Sequence, residues 1–236
     1  MLLHIYSLRM KPETQMIETV IKIGGSLGQS STLPKLLQKL SEIGSRHRIV
    51  IVPGGGAFAN GIRDYDRRFT VTAEAGHWMS ILAMDQYGHL LSSMLANSVL
   101  VRGLASAREV QRQGRIPVLA PYDLLRETDA LPRSWDVTSD SIAAWLAELA
   151  GARQLVLLKS VDGLFHGSEG TIKKVELKKT ESWTPGGDYQ GVVDRYFSTI
   201  LQKISMDTWL VNGNHPERIE QLLDTGTTTG TRLLRQ

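Results

Sequence analysis

The chain has 236 residues, 42% of them hydrophobic and 22% charged, with a net charge of +3 and no cysteine. That length buries roughly three-quarters of the unfolded surface in one large domain or two small ones, and the composition is globular rather than disordered. A small net charge without a basic stripe argues against nucleic acid as the main partner, the lack of cysteine removes disulfides, thiolate catalysis and cysteine-ligated zinc, and no apolar run reaches the roughly 18 residues that span a bilayer.

Residues 1–15 lack the apolar core and cleavage site of a secretory signal and read as an N-terminal extension, with the cytoplasm as the expected setting. Residues 16–23 predict a first strand. Ser31, Thr32 and Pro34 then give a helix start, with Leu36, Leu37 and Leu40 as its apolar stripe. Residues 48–52 predict a second strand, apolar enough to be buried on both faces. Helices are expected over 57–69, 73–95 and 139–150, and strands over 98–101, 116–119, 154–159 and 208–211. Residues 163–177 break the rhythm, because Gly167, Ser168, Glu169 and Gly170 between short apolar runs predict a hairpin inserted at the sheet edge. Strand, crossover helix and strand repeated in this way predict an α/β three-layer sandwich around a mainly parallel central sheet. No repeat or linker divides the chain, so a single domain over residues 1–236 is expected.

Two of the predicted strands end in glycine clusters: Lys22-Ile23-Gly24-Gly25-Ser26 and Pro53-Gly54-Gly55-Gly56. A glycine turn at the carboxyl end of a parallel strand lets backbone N–H groups approach phosphate oxygens with no Cβ in the way, and the following helix adds its positive end. Neither cluster has the spacing of a Walker loop or a dinucleotide fingerprint. Either one alone is also what a tight strand-to-helix turn needs; two in succession, the first beside a lysine, point to one place where phosphates are handled. Further on, Ser134-Trp135-Asp136-Val137-Thr138-Ser139-Asp140-Ser141 introduces a helix. Ser139 and Asp140 suit helix capping, and a carboxylate near phosphate-binding turns can equally orient lysines or hold Mg2+. His77, His89 and His215 show no ligand spacing, so no metal site made by protein side chains is expected.

The two glycine clusters, Thr138-Ser139-Asp140-Ser141, Val161-Asp162-Gly163, Lys203 and Gly230-Thr231-Arg232 stand in the order typical of the amino acid kinase superfamily, and the chain resembles it over roughly residues 16–234. Within it, Pro53 to Asn60 with Arg63, the Ser134-Trp135 element, and Val211-Asn212-Gly213 followed by Pro216-Glu217-Arg218 are similar to the [5-(aminomethyl)furan-3-yl]methyl phosphate kinases of methanofuran biosynthesis. The resemblance implies the amino acid kinase or carbamate kinase-like fold, with an acceptor lobe over roughly residues 16–150 and a nucleotide lobe over roughly 151–236. It also implies direct transfer of the γ-phosphoryl group of ATP, with Mg2+, to a small phosphorylated acceptor, by a homo-oligomer that needs neither membrane nor nucleic acid.

By the same resemblance Lys22 and Lys203 flank the migrating group and Asp140 holds the lysines. Gly24, Gly25 and Ser26 contact the donor phosphates, Lys159, Ser160, Val161, Asp162, Gly163 and Phe165 the nucleotide, with Asn212 and Gly213 beside them, and Gly54, Gly55 and Gly56 line the acceptor side. The chain departs from a common family pattern at Lys159-Ser160, where many members carry Thr-Asp. For an aminated furan phosphate, Arg63 offers the guanidinium fork that suits phosphate, Asn60 a further donor, Trp135 a flat apolar cover and Asp85 a partner for the ammonium, with Thr138 nearby. Isopentenyl phosphate and UMP are alternative acceptors, although Ala57, Phe58 and Ala59 stand where the isopentenyl phosphate enzymes have a histidine. A non-catalytic nucleotide- or oxyanion-binding protein is the alternative from another class; Lys22, Asp140 and Lys203 together count against it.

Overall fold

The computed structural model describes residues 17–165, 171–172, 174–177 and 192–235. Eight strands form one sheet in the order β3-β4-β2-β1-β5-β9-β10-β8: β1 Thr19–Ile23, β2 Ile49–Pro53, β3 Ser98–Val101, β4 Ile116–Leu119, β5 Gln154–Lys159, β8 Lys174–Leu177, β9 Asp207–Asn212 and β10 Thr231–Arg235. Strands β3 to β9 in that order run parallel, β10 turns antiparallel against β9, and β8 runs parallel to β10. The hairpin expected over 163–177 is divided: β6 Leu164–Phe165 and β7 Thr171–Ile172 pair antiparallel as a separate two-stranded sheet, while β8 joins the edge of the main one. The Gly167 to Gly170 stretch lies outside the described residues.

The helices are α1 Leu33–Gly44, α2 Gly56–Phe69, α3 Ala73–Met94, α4 Leu104–Arg112, α5 Tyr122–Thr128, α6 Ser139–Ala150, α7 Phe197–Leu201 and α8 Glu217–Thr225. Pro34 stands in the first turn of α1 and Thr72 caps α3 by accepting the Ala75 N–H. Helices α4, α5 and α8, of nine, seven and nine residues, are additions to the sequence reading.

Alternation along the strands sends side chains to two separate cores, as a parallel sheet covered on both faces requires. Val20, Leu155 and Leu157 face α6 and α7, whereas Ile21, Ile23, Val156 and Leu158 face α1 and α8. Lys22 therefore emerges on the α6 side with Val20, and Lys159 emerges on that same side with Leu155 and Leu157. Among the described residues, no helix is long and apolar enough to cross a membrane.

Candidate active site

The site lies where β1, β2 and β5 end, the edge at which open parallel sheets place ligands. The turns after β1 and β2 pack backbone to backbone: a Cβ added to Gly25 would stand 2.4 Å from the Gly56 nitrogen, so the two chains could not meet with a side chain there. Both turns open on one cavity of about 310 Å3, which Gly25, Ser26, Gly55 and Gly56 line. Gly24 and Gly54 serve differently from the sequence reading. Their N–H groups are consumed by the sheet, donating to Leu158 O at 2.9 Å and Ile23 O at 2.9 Å.

Beneath the turns sits a buried ionic cluster. Lys22 Nζ donates to Asp140 Oδ1 at 2.8 Å, and Lys159 Nζ donates to Oδ1 at 2.8 Å and to Oδ2 at 2.6 Å. The Lys22 and Asp140 side chains are only 4% and 5% exposed. Register explains the meeting: Lys22 lies opposite Leu157, so Lys159 projects from the neighbouring strand two residues further toward its carboxyl end, on the same face. Burial alone would raise the Asp140 pKa, but Lys159 and Lys22 outweigh it and hold the carboxyl at about 2. Burial pushes the Lys159 ammonium down to about 8, with Asp140 opposing. Both Asp140 oxygens accept from lysines, so the carboxylate orients two cations. Among the described residues, no group of three or more metal-ligating side chains is found.

Lys203 does not join this cluster. Helix α7 stops at Leu201, and Lys203 lies in the following turn with its N–H on Ile200 O and its side chain exposed. The second cation of the cluster is Lys159, which the sequence reading had placed against the nucleotide. A further residue escaped that reading. Asp194, just before α7, accepts hydrogen bonds from Thr138 N at 3.0 Å and Oγ1 at 2.8 Å, and from Ser141 N at 3.0 Å and Oγ at 2.5 Å. Nothing in Val193-Asp194-Arg195 marks it in the sequence, because its partners lie more than fifty residues away.

The rest of the cavity wall comes from α2, α3 and the loop before α6. Arg63 Nη1 donates to Asn60 Oδ1 at 3.0 Å, which orients the guanidinium and leaves the Asn60 amide N–H groups free of that bond. Trp135 lies against the α3 backbone at Gly76, where an added Cβ would come within 2.5 Å of the indole. Arg133 ties this loop to α3 through Glu74 and stacks over Trp78, 5.5 Å from its ring centre. His77 lines the same wall, and burial lowers its pKa, favouring the neutral ring. Thr138 also lines the cavity, with its hydroxyl committed to Asp194.

Asp85 is a correction. It does not line the cavity; it is buried, and its Oδ1 accepts the Tyr122 N–H at 3.2 Å at the start of α5. Burial lifts its carboxyl to about 6. A carboxylate closing the apolar run of α3 was a plausible ligand group by sequence; in the fold it anchors the neighbouring helix.

On the other side of the cluster, the ends of β5 and β9 form a polar turn. Asp162 accepts from Asn212 Nδ2 at 3.0 Å and pairs with Arg218 of α8. Gly213 N donates to Lys159 O at 2.8 Å, and Ser26 Oγ donates to Ser160 Oγ at 3.3 Å, joining this turn to the first glycine turn. Val161 is half-buried and Gly163 buried between them, and Phe165 ends β6.

Comparison with known proteins places this geometry. The model of the amino acid kinase family matches residues 18–188. A [5-(aminomethyl)furan-3-yl]methyl phosphate kinase of Methanocaldococcus jannaschii is 30% identical over 208 residues, 87% of this chain and 92% of that protein. A uridylate kinase of Methanococcoides burtonii is 24% identical over 91% of this chain and 96% of its own length. Among solved structures, the uridylate kinase of Archaeoglobus fulgidus superposes with a TM-score of 0.68 at 18% identity, over 92% of this chain and all of that one. The UMP kinase of Ureaplasma parvum gives 0.70 at 17% identity, over 92% and 99%.

Proposed function

The chain belongs to the amino acid kinase family, and from that premise we propose that it transfers the γ-phosphoryl group of ATP to the phosphate of a small phosphomonoester, [5-(aminomethyl)furan-3-yl]methyl phosphate, giving a diphosphate. Family membership and the kinases among its relatives support a phosphotransferase; the activity, donor and acceptor are our reading. One observation carries it: two backbone-packed glycine turns share a cavity, and Lys22, two residues before the first turn, joins Asp140 and Lys159 in a buried cluster, Asp140 following the cavity-lining Ser139.

Phosphoryl transfer spreads negative charge over the migrating group, and the protein's task is to position the reactants and balance that charge. ATP with its Mg2+ would supply the phosphoryl group and neutralise part of its charge. The turn formed by Lys159 to Gly163 with Asn212 and Gly213 suits the nucleotide, and the N–H groups after Gly24 suit its phosphates. Lys22 and Lys159, fixed by one carboxylate, would supply cations from a water-poor cluster next to the turns. The cavity suits the acceptor: Arg63 and Asn60 for its phosphate, the Trp135 indole for a flat ring. No carboxylate lines it among the described residues, so an acceptor ammonium would meet neutral oxygens such as those of Ser134, Ser139 and Gln29. The reading of an acceptor lobe and a nucleotide lobe is supported by a cavity lined wholly from residues 25–142 and a polar turn drawn from residues after 158.

We read the working form as a cytoplasmic homo-oligomer. The large apolar side chains left exposed on α2 and α3, among them Phe58, Tyr65, Phe69, Leu82, Leu90 and Met94, support a covered face there.

The test is ADP release on adding ATP and Mg2+ to a panel containing the aminomethylfuran phosphate, its unphosphorylated alcohol, UMP and isopentenyl phosphate. Best turnover of the furan phosphate is expected. Faster turnover of UMP or isopentenyl phosphate would overturn the acceptor, and ATP binding without ADP release from any acceptor would favour the non-catalytic reading.

A pH profile gives an independent check. The Lys159 ammonium is held at about 8, below its ordinary 10.5, so its charge is lost as pH rises through that value. The rate at saturating substrates is expected to fall on an alkaline limb centred near pH 8. A flat profile to pH 10 would remove Lys159 from the charged machinery.

A further inference from the structure

We infer that Asp194 is a positioning residue of the transfer centre: from outside helix α6 it fixes that helix's first turn, and so sets where the Asp140 carboxylate stands between the Lys22 and Lys159 ammoniums. This rests on reading the cluster as the centre of phosphoryl transfer.

Helix α6 begins unusually. Its N-cap, Thr138, has an extended backbone but makes no side-chain cap within its own helix. The Thr138 hydroxyl, which would ordinarily accept an N–H from the first turn, donates to Asp194 instead. Asp194 takes over the cap and accepts the N–H and hydroxyl of Thr138 and of Ser141. Asp140 lies between those two residues in the chain, so its backbone is held on both sides by one carboxylate. A second stitch fixes the same approach, with Tyr196 N donating to Asp136 O at 3.1 Å, and the Phe197 N–H returns to Asp194 O at 3.2 Å.

A cap alone does not require this residue. Asparagine and serine cap helices about as well as aspartate, and here the aspartate places a second, half-buried carboxylate near the buried Asp140, where like charges are costly. Burial, and then the charge of Asp140, raise the Asp194 carboxyl above its ordinary range. What the charge offers in return is balance. Lys159 from β5 and Lys22 from β1 both pair with Asp140, and the Asp194 charge, joined to the same helix turn by its four hydrogen bonds, acts on Lys159 from further off, so two ammoniums stand near two carboxylates. Arg195, the neighbouring cation on the same segment, turns away to Asp136 at 3.7 Å. Asp194 thus holds the Asp140 backbone and also helps Lys159 keep its proton.

Asp194→Asn separates these roles. The asparagine oxygen can accept the bonds now made to Oδ2, and its amide can donate to Ser141 Oγ, so the cap survives while the charge is lost. The expected result is a folded protein with an ATP KM within about threefold of wild type, kcat at least tenfold lower, and the alkaline limb moved to lower pH. Wild-type kcat with an unmoved limb would overturn the proposal, since a mere cap predicts that outcome. Lysine acylation followed by mass spectrometry reads the same effect without turnover. Lys159 should acylate at lower pH in the variant, and an unchanged profile counts against Asp194 whatever the wild-type activity proves to be. A wild type inactive on every acceptor, with that acylation shift present, would sink the kinase reading and leave the charge coupling standing. If the asparagine variant does not fold, Ser141→Ala removes one of the four bonds and no charge; at least a threefold lower kcat at unchanged ATP KM is expected, and wild-type kinetics would refute the positioning role.

Discussion

Lys22→Ala is expected to lower kcat by at least about a hundredfold, the usual cost of losing a group that stabilises transition-state charge, while the KM for ATP changes little. The side chain is 4% exposed and donates to Asp140, so it is a preorganised cation rather than a mobile surface charge. Its loss leaves Asp140 still bound by Lys159 through both oxygens, and the fold should persist. Steady-state kinetics with an ADP-release readout, alongside a thermal melt, checks both halves. A near-normal kcat would make Lys22 a packing residue of β1.

Asp140→Asn should have the larger consequence because it strikes stability and turnover together. It leaves two buried ammoniums side by side with no carboxylate between them, and breaking a buried ion pair by removing one partner typically costs about 3 to 5 kcal/mol. Turnover should fall by at least a thousandfold on the scale of an electrostatic group and the lysines it orients. The acid side of the stability curve carries a signature. The Asp140 carboxyl is held at about 2, below its ordinary 3.8, so its contribution is fully present above the ordinary value and is lost as pH falls through the folded one. Denaturant melts from pH 5 to pH 2 should show a decline for the wild type in which this carboxylate shares, and a shallower one for the variant. Equal slopes would mean that Asp140 is not the ionised partner of the lysines.

The strands were legible because parallel strands buried on both faces read as unbroken apolar runs, and β3, β4, β5 and α6 fall where such runs and the hydroxyl-rich helix start place them. The glycine turns were legible because only residues without a Cβ permit the approach of Gly25 to Gly56. The partnership of Lys22 and Lys159 was not, because alternation gives each lysine a face while only the pairing of β1 with β5 brings those faces together. Lys203 illustrates the converse: its motif position suggested a clamp, and a five-residue α7 ends before reaching it. Asp85 failed as a ligand because α3 feeds both cores, leaving its inward carboxylate to meet a neighbouring helix end instead of open space. Asp194 had no signal at all; caps that come from a distant segment leave no spacing to find.

The two lysines of the cluster grow from adjacent strands, staggered by two residues, so that a strand spacing of about 4.8 Å and two residue rises set their roots roughly 8 Å apart. The sheet therefore acts as a ruler: whatever loops or lobes do as substrates come and go, the roots of the two cations keep a separation written in backbone hydrogen bonds. On the proposed function, substrates would have to fit that gauge, since the gauge cannot be adjusted to them.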